Sequence, residues 1–185
     1  AASASRSDHE MAYDLLLEDD GRALLYTPFL NYAGGNLDAV REMLAHPNTV
    51  PGLGDGGAPV GTICDASFVT TLLTLWGRDR AEGRFELPYL VQQHCRDTAQ
   101  TVGLFDRGVL APGYRADVNV IDFDNLRLSP PEIHQDLPAG GRRLLQPVSG
   151  YKHTLVAGVE TYRDGEATGA LPGKLVRGAR PAPVG

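Results

Sequence analysis

The chain has 185 residues, 42% hydrophobic and 22% charged, the proportions of an ordinary globular protein. Its 17 Lys and Arg against 23 Asp and Glu give a net charge of −6. The basic residues are scattered among acids (Arg6, Arg22, Arg41, Arg78) or confined to Arg142-Arg143 and the stretch Lys174 to Arg180, which argues against a nucleic-acid partner. No run approaches the roughly 18 apolar residues of a membrane span. The N-terminus lacks the basic patch and apolar stretch of a secretory signal. Cys64 and Cys95 show neither zinc-site nor disulfide-framework spacing, so a reducing cytoplasm is the expected compartment.

Taken in chain order, HEMAYDLLLE (9–18) places Met11, Leu15 and Leu16 at helical spacing and predicts an amphipathic helix. ALLYTPF (23–29) reads as a buried strand closed by Pro28. A second helix is expected over Leu37–Ala45, with Asn36 accepting from a first-turn amide and Pro47 ending it. His46 beside that proline is positioned to bond the last carbonyls. TVPGLGDGGAPVG (49–61) is a short apolar run that gives way to Asp55 and a glycine-rich loop. Helices over Ser67–Trp76 and Pro88–Val102 follow.

After Gly103 the pattern changes to short strands divided by Gly, Pro and Asp. RADVNVIDFD (115–124) alternates, pointing Val118, Val120 and Ile121 or Phe123 inward. TLVAGVETYRDG (154–165) reads as a hairpin turning at Ala157-Gly158. The stretch between, PPEIHQDLPAGGRRLLQP, lacks periodicity and is expected to be a long surface loop. Strand–helix alternation followed by a β-only segment implies a parallel α/β arrangement with a second, smaller sheet. A closed (β/α)8 barrel takes about 250 residues. The part before Gly103 supplies two or three units at most.

Asp55 is the leading candidate for chemistry, because α/β proteins place ligand-binding side chains where a strand ends in a loop. Gly56 and Gly57 would let the backbone approach a ligand. The competing reading is an ordinary Asp-Gly turn. The histidines (His9, His46, His94, His134, His153) form no HxH or HxxxH pair. His94 and Cys95 project about 100° apart on a helix, which argues against shared ligation. Ser67 and Ser149 lie outside any nucleophile elbow. Cys64 reads as a small buried residue, and Arg78, Asp79 and Arg80 as a solvated charge run.

Several segments together resemble one family: HPNTVPGLGDGGAPVG (46–61), ICDASFVTTLLTLWGRDR (63–80), GLFDRGVLAPGYRADVNVIDFD (103–124), DLPAGGRRLLQ (136–146) and VAGVETYRDGEATGALPGKLVRG (156–178). They are similar to the C-terminal part of D-aminoacylase-like amidohydrolases, the N-acyl-D-amino-acid deacylases. The resemblance implies an α/β chain in which residues 1–103 are the last units of a (β/α)8 metallo-hydrolase barrel. Residues 104–185 would form a β-sandwich segment and tail, the sandwich being built from both ends of the full-length enzyme.

The same resemblance implies zinc in the complete enzyme, activating water against a linear amide, an N-acyl D-amino acid. Asp55 matches the aspartate that orients or deprotonates that water and protonates the leaving nitrogen. The histidines that hold the metal lie on strands this chain lacks. No zinc is therefore expected on residues 1–185 alone, Asp55 being the one residue here that could touch it. Pro59 stands where the family commonly has histidine, in GDGGAP instead of GDGGAH, and offers no ligand or proton.

Two barrel units without neighbours expose strand edges and apolar surface. The chain is thus expected to oligomerise or to pack on the rest of the barrel, supplied by the same longer chain or another subunit. The alternative is a truncated, inactive homologue acting as a structural or binding module.

Overall fold

The computed structural model describes residues 6–27, 30–32, 34–52, 54, 61–62 and 65–184. It divides into two compact units, 1–45 and 46–185. Helices and antiparallel sheet are both present, a mixed architecture.

The first unit holds α1 (Asp8–Gly21) and α2 (Asp38–Ala45). A reciprocal capping box starts α1: Ser7 Oγ accepts from the Glu10 amide, and Glu10 Oε2 accepts from the Ser7 amide at 2.8 Å. Regular helix stops at Glu18 (ψ 157°), and Asp19 and Asp20 take left-handed angles. Of the expected apolar stripe, Met11 is half-buried, while Leu15 and Leu16 are exposed. At α2, Asn36 Oδ1 accepts from the Asp38 amide at 3.0 Å, the expected cap.

The strand expected at 23–29 is corrected for its described part, since residues 23–27 form none. Residues 49–52 and 54, before Asp55, are likewise not strand. Both stretches are apolar enough, but a strand exists only as part of a ladder. Neither stretch has one among the described residues.

The second unit opens its helices with a single 3₁₀ turn (Asp65–Ser67) leading into α3 (Phe68–Thr74) and a π turn (Leu75–Asp79), closed by Arg80 N–H donating to Leu75 O at 3.2 Å. A second composite helix runs through α4 (Leu87–Gln92), a π turn (Gln93–Asp97) and α5 (Thr98–Thr101), with Pro88 in its first turn where a missing N–H costs nothing. Leu72, Leu73, Trp76 and Leu90 bury themselves between these helices, and Leu126 joins them from the sheet side. Phe85 packs tilted against Trp76 and stacks on Tyr89, with centroids 6.0 and 5.3 Å apart, and Arg80 lies 4.5 Å from the centre of the Trp76 ring.

The strands are β1 (Val118–Ile121), β2 (Arg127–Leu128), β3 (Glu132–Leu137), β4 (Gly141–Leu145), β5 (Val148–Ser149), β6 (Tyr151–Val156), β7 (Val159–Arg163) and β8 (Glu166–Ala167). The main sheet has the order β1-β6-β7-β8, all antiparallel, while β2 pairs with β5 and β3 with β4. The expected hairpin is β6–β7, turning at Ala157-Gly158 with φ of 51° and 78° at the two central residues, the mirror-image turn that matches strand twist. Asp117 pins that turn from β1's leading end by accepting the Ala157 amide at 2.8 Å.

Two expectations on the sheet are corrected. Val120 is 46% exposed rather than inward, because Val118 and Ile121, three apart, are the half-buried residues of β1, and a bulge between Val120 and Ile121 breaks the alternation. The expected long loop at 130–147 contains the β3–β4 hairpin instead. Its turn uses left-handed Ala139 and Gly140, and a bidentate Arg143–Asp136 pair (2.8 and 2.7 Å) clamps the two strands beside it. Periodicity missed it because both of its faces are partly exposed, so polar and apolar residues do not sort by side.

The motif around RGVLAPGYRAD proves architectural. Gly108 has φ +82°, and a Cβ there would stand 2.7 Å from the Cys95 carbonyl, so only glycine lets this loop lie on the π turn after α4. Arg107 holds Asp106 bidentately, keeping its carboxyl below the usual range, and the tail returns to pair Arg180 with Gly103 and Phe105.

Candidate functional site

Asp55, Gly56 and Gly57, with Pro59 and Cys64, lie outside the described residues. The frame on either side of them is described. Gly54 meets the start of the first composite helix so closely that a Cβ would stand 2.3 Å from the Asp65 carbonyl and 2.7 Å from Phe68 Cδ1. The residue directly before Asp55 is therefore fixed against the end of the 62–68 connection, and any larger side chain would displace it. Beyond the loop, Gly61 lies beside Arg142 on β4: a Cβ there would be 3.8 Å from Nε. Ser67 donates to Gln146 Oε1 at 2.5 Å, and Gln146 donates on to Ser129 O at 3.0 Å, tying the helix start to the end of the β3–β4 hairpin.

Phe68 connects this frame to His94, whose ring meets it edge-on at 5.7 Å. His94 and its neighbour Cys95 line one cleft of about 1720 Å³ between the helices and the sheet. Its walls include Val69, Leu73 and Ala99 from the helices and Ile121 and Tyr162 from the sheet. A hydrogen bond of 3.0 Å between Thr70 Oγ1 and Tyr151 Oη joins the helix and sheet sides. Burial holds the His94 imidazole below its ordinary pKa and pushes the Cys95 thiol up, which makes both groups neutral near pH 7 and the thiol a poor nucleophile. His94 Nδ1 is buried with no hydrogen-bond partner among the described residues. Nothing in the sequence pattern marked this, since an imidazole on a helix is usually satisfied by a neighbour.

The remaining histidines are elsewhere. His46 does not bond the last carbonyls of α2; its Nδ1 accepts from the Asn48 amide at 3.2 Å, because Pro47 turns the chain back toward it. His134 pairs with Glu132 at 3.2 Å, and His153 with Glu160 at 2.6 Å. Arg163 and then His153 draw the Glu160 pKa to about 2. Among the described residues no three His, Cys, Asp or Glu converge as a metal would need, so these residues do not fit a zinc ion. Nor does any described helix have the length and apolarity to cross a membrane.

The model of the Amidohydrolase family matches residues 8–162, most of the chain. The protein therefore belongs to the amidohydrolase family, whose members are in general metal-dependent hydrolases. Two relatives are the 5-methylthioadenosine/S-adenosylhomocysteine deaminases of Desulfitobacterium hafniense strains DSM 10664 / DCB-2 and Y51. Each is 35% identical over 91 residues, covering 44% of this chain and 21% of the relative. The chain thus spans about a fifth of the length of the curated relatives it matches. No solved structure matches it.

Proposed function

We propose that the chain is the C-terminal portion of a zinc-dependent amidohydrolase hydrolysing a linear amide, an N-acyl D-amino acid, in the cytoplasm. Residues 1–103 would be the last barrel units and 104–185 the sandwich segment and tail. The observation that carries the reading is the family match over 8–162, in a chain whose match to its relatives covers about a fifth of their length. The segments quoted above, GDGGAP among them, supply the finer assignment. Since the described residues do not form a zinc site, the metal-binding groups would come from the remainder of the barrel.

Asp55 is the acid–base residue in this reading. Its carboxylate takes a proton from the attacking water, and the resulting acid gives that proton to the amide nitrogen as the C–N bond breaks, returning the carboxylate. In this reading Gly56 and Gly57 would let the backbone approach the substrate. Pro59, standing where the family commonly has histidine, favours the second reading, a catalytically silent module. The deaminase relatives supply the other substrate class to assay, an adenosine-type amine that releases ammonia.

The test is the intact mass of the endogenous protein, followed by assay of the full-length form. A mass well above 19.8 kDa, with acyl-group release that falls on the order of a hundredfold in Asp55→Asn, is expected. A mass of 19.8 kDa with no activity gives the silent module. Ammonia release from an adenosine-type substrate replaces the deacylase assignment.

A further inference from the structure

We propose that Phe68 is a positioning residue for Asp55: its ring and the Asp65 carbonyl form the wall that fixes the main chain at Gly54, the residue to which Asp55 is joined. This rests on the reading of Asp55 as the acid–base residue and names the groups of this chain that would fix its approach.

Three observations lead there. The first is contact. A Cβ at Gly54 would stand 2.7 Å from Phe68 Cδ1 and closer still to the Asp65 carbonyl oxygen, while Gly54 has no left-handed φ that would demand glycine by itself. Contact, and not conformation, therefore excludes a side chain at 54. The second is what stands behind the ring. His94, on the other composite helix, meets Phe68 edge-on with centroids 5.7 Å apart, so a second element holds the ring in place. The third is the stiffness of the helix start. Ser67, just before Phe68, donates to Gln146 Oε1 at 2.5 Å, and Thr70, two residues after it, shares a 3.0 Å hydrogen bond with Tyr151 Oη. Phe68 thus sits in a segment tied to the β-rich part of the chain on either side. A proton acceptor must lie within hydrogen-bond reach of the water it serves, and a misplacement of about 1 Å costs on the order of a hundredfold in rate. Phe68 itself touches no reacting atom in this reading; it acts through the main chain of residue 54.

The test is steady-state kinetics of the full-length protein, with N-acetyl-D-leucine as the probe amide. Phe68→Leu keeps most of the apolar volume and removes the ring. It should lower kcat about tenfold and leave KM within about twofold. Gly54→Ala should cost more, on the order of a hundredfold in kcat, because the Asp65 carbonyl cannot give way as a side chain can. Phe85→Leu removes a ring from the Trp76 cluster instead, so it should lower Tm at least as much as Phe68→Leu and leave kcat unchanged. In an Asp55→Asn background Phe68→Leu should lower kcat no further, since the group it positions is gone.

An Asp55→Asn enzyme as active as the native one, or a native enzyme that releases no acyl group, overturns the acid–base reading and this inference with it. A Phe68→Leu loss confined to KM or Tm, matched in kcat by Phe85→Leu, or adding in full to that of Asp55→Asn overturns the positioning role while leaving Asp55 as the acid–base residue.

Discussion

Arg78 donates from Nη1 to the main-chain carbonyl of Phe123 at 2.5 Å while its guanidinium lies 5.6 Å from the centre of that residue's ring. The same side chain reaches Asp124 O and Leu126 O, and Asp79 holds it bidentately from behind, which raises its pKa further and holds the Asp79 carboxyl low. What reads in sequence as a solvated charge run is thus the clasp that fixes the turn after β1 to the first composite helix. Arg78→Ala should destabilise the chain by about 2–4 kcal/mol, since three carbonyls lose a charged donor. Arg78→Lys should recover only part of this, an ammonium lacking the planar fork. Denaturant titration of the two variants checks the order.

Gly108→Ala tests whether the loop's approach to the helix is obligatory. A Cβ at Gly108 meets the Cys95 carbonyl at 2.7 Å on top of an unfavourable φ, whereas one at Gly165 (φ +86°) meets nothing within 4 Å. The expected loss is about 1 kcal/mol for Gly165→Ala and clearly more for Gly108→Ala. Equal losses would show that conformation alone, not contact, demands glycine at 108.

Protonation of His94 should weaken the fold. Burial lowers its pKa from 6.5 in the folded chain, so below that pH the unfolded state binds the extra proton. Stability should therefore decline as pH falls from about 6.5, by at most about 1.4 kcal/mol per pH unit for one proton. His94→Phe keeps a ring against Phe68 and removes the unsatisfied nitrogen. It should flatten that decline without lowering Tm at pH 7, as followed by thermal unfolding across the pH range.

Glu160 should act in the same direction as His94, but in a more acidic window. Its folded pKa of about 2 lies below the ordinary 4.5, so its contribution to the β6–β7 hairpin is complete above 4.5 and disappears as pH falls toward 2. Glu160→Gln should raise amide exchange in β6 and β7 at neutral pH and remove the acid dependence between those values. Hydrogen exchange read by NMR gives both results.

The sequence by itself determined the local elements and the family. Ser7 and Asn36 cap their helices as their side chains dictate, Pro88 stands in a first helical turn, and Ala157-Gly158 makes the expected turn. These depend on neighbours a few residues away, so short-range pattern suffices. The candidate residue Asp55 was legible only as a motif, from a strand-to-loop change and a resemblance. Tertiary structure decided the rest. The stretches at 23–27 and 49–52 are not strands, although apolar, because a strand needs a partner that no local pattern guarantees. The β3–β4 hairpin, the Arg78 clasp and the unsatisfied His94 are likewise set by groups brought together from far along the chain. Periodicity carries no information about such long-range pairing, because contact across dozens of residues depends on how whole elements pack and not on the residues beside them.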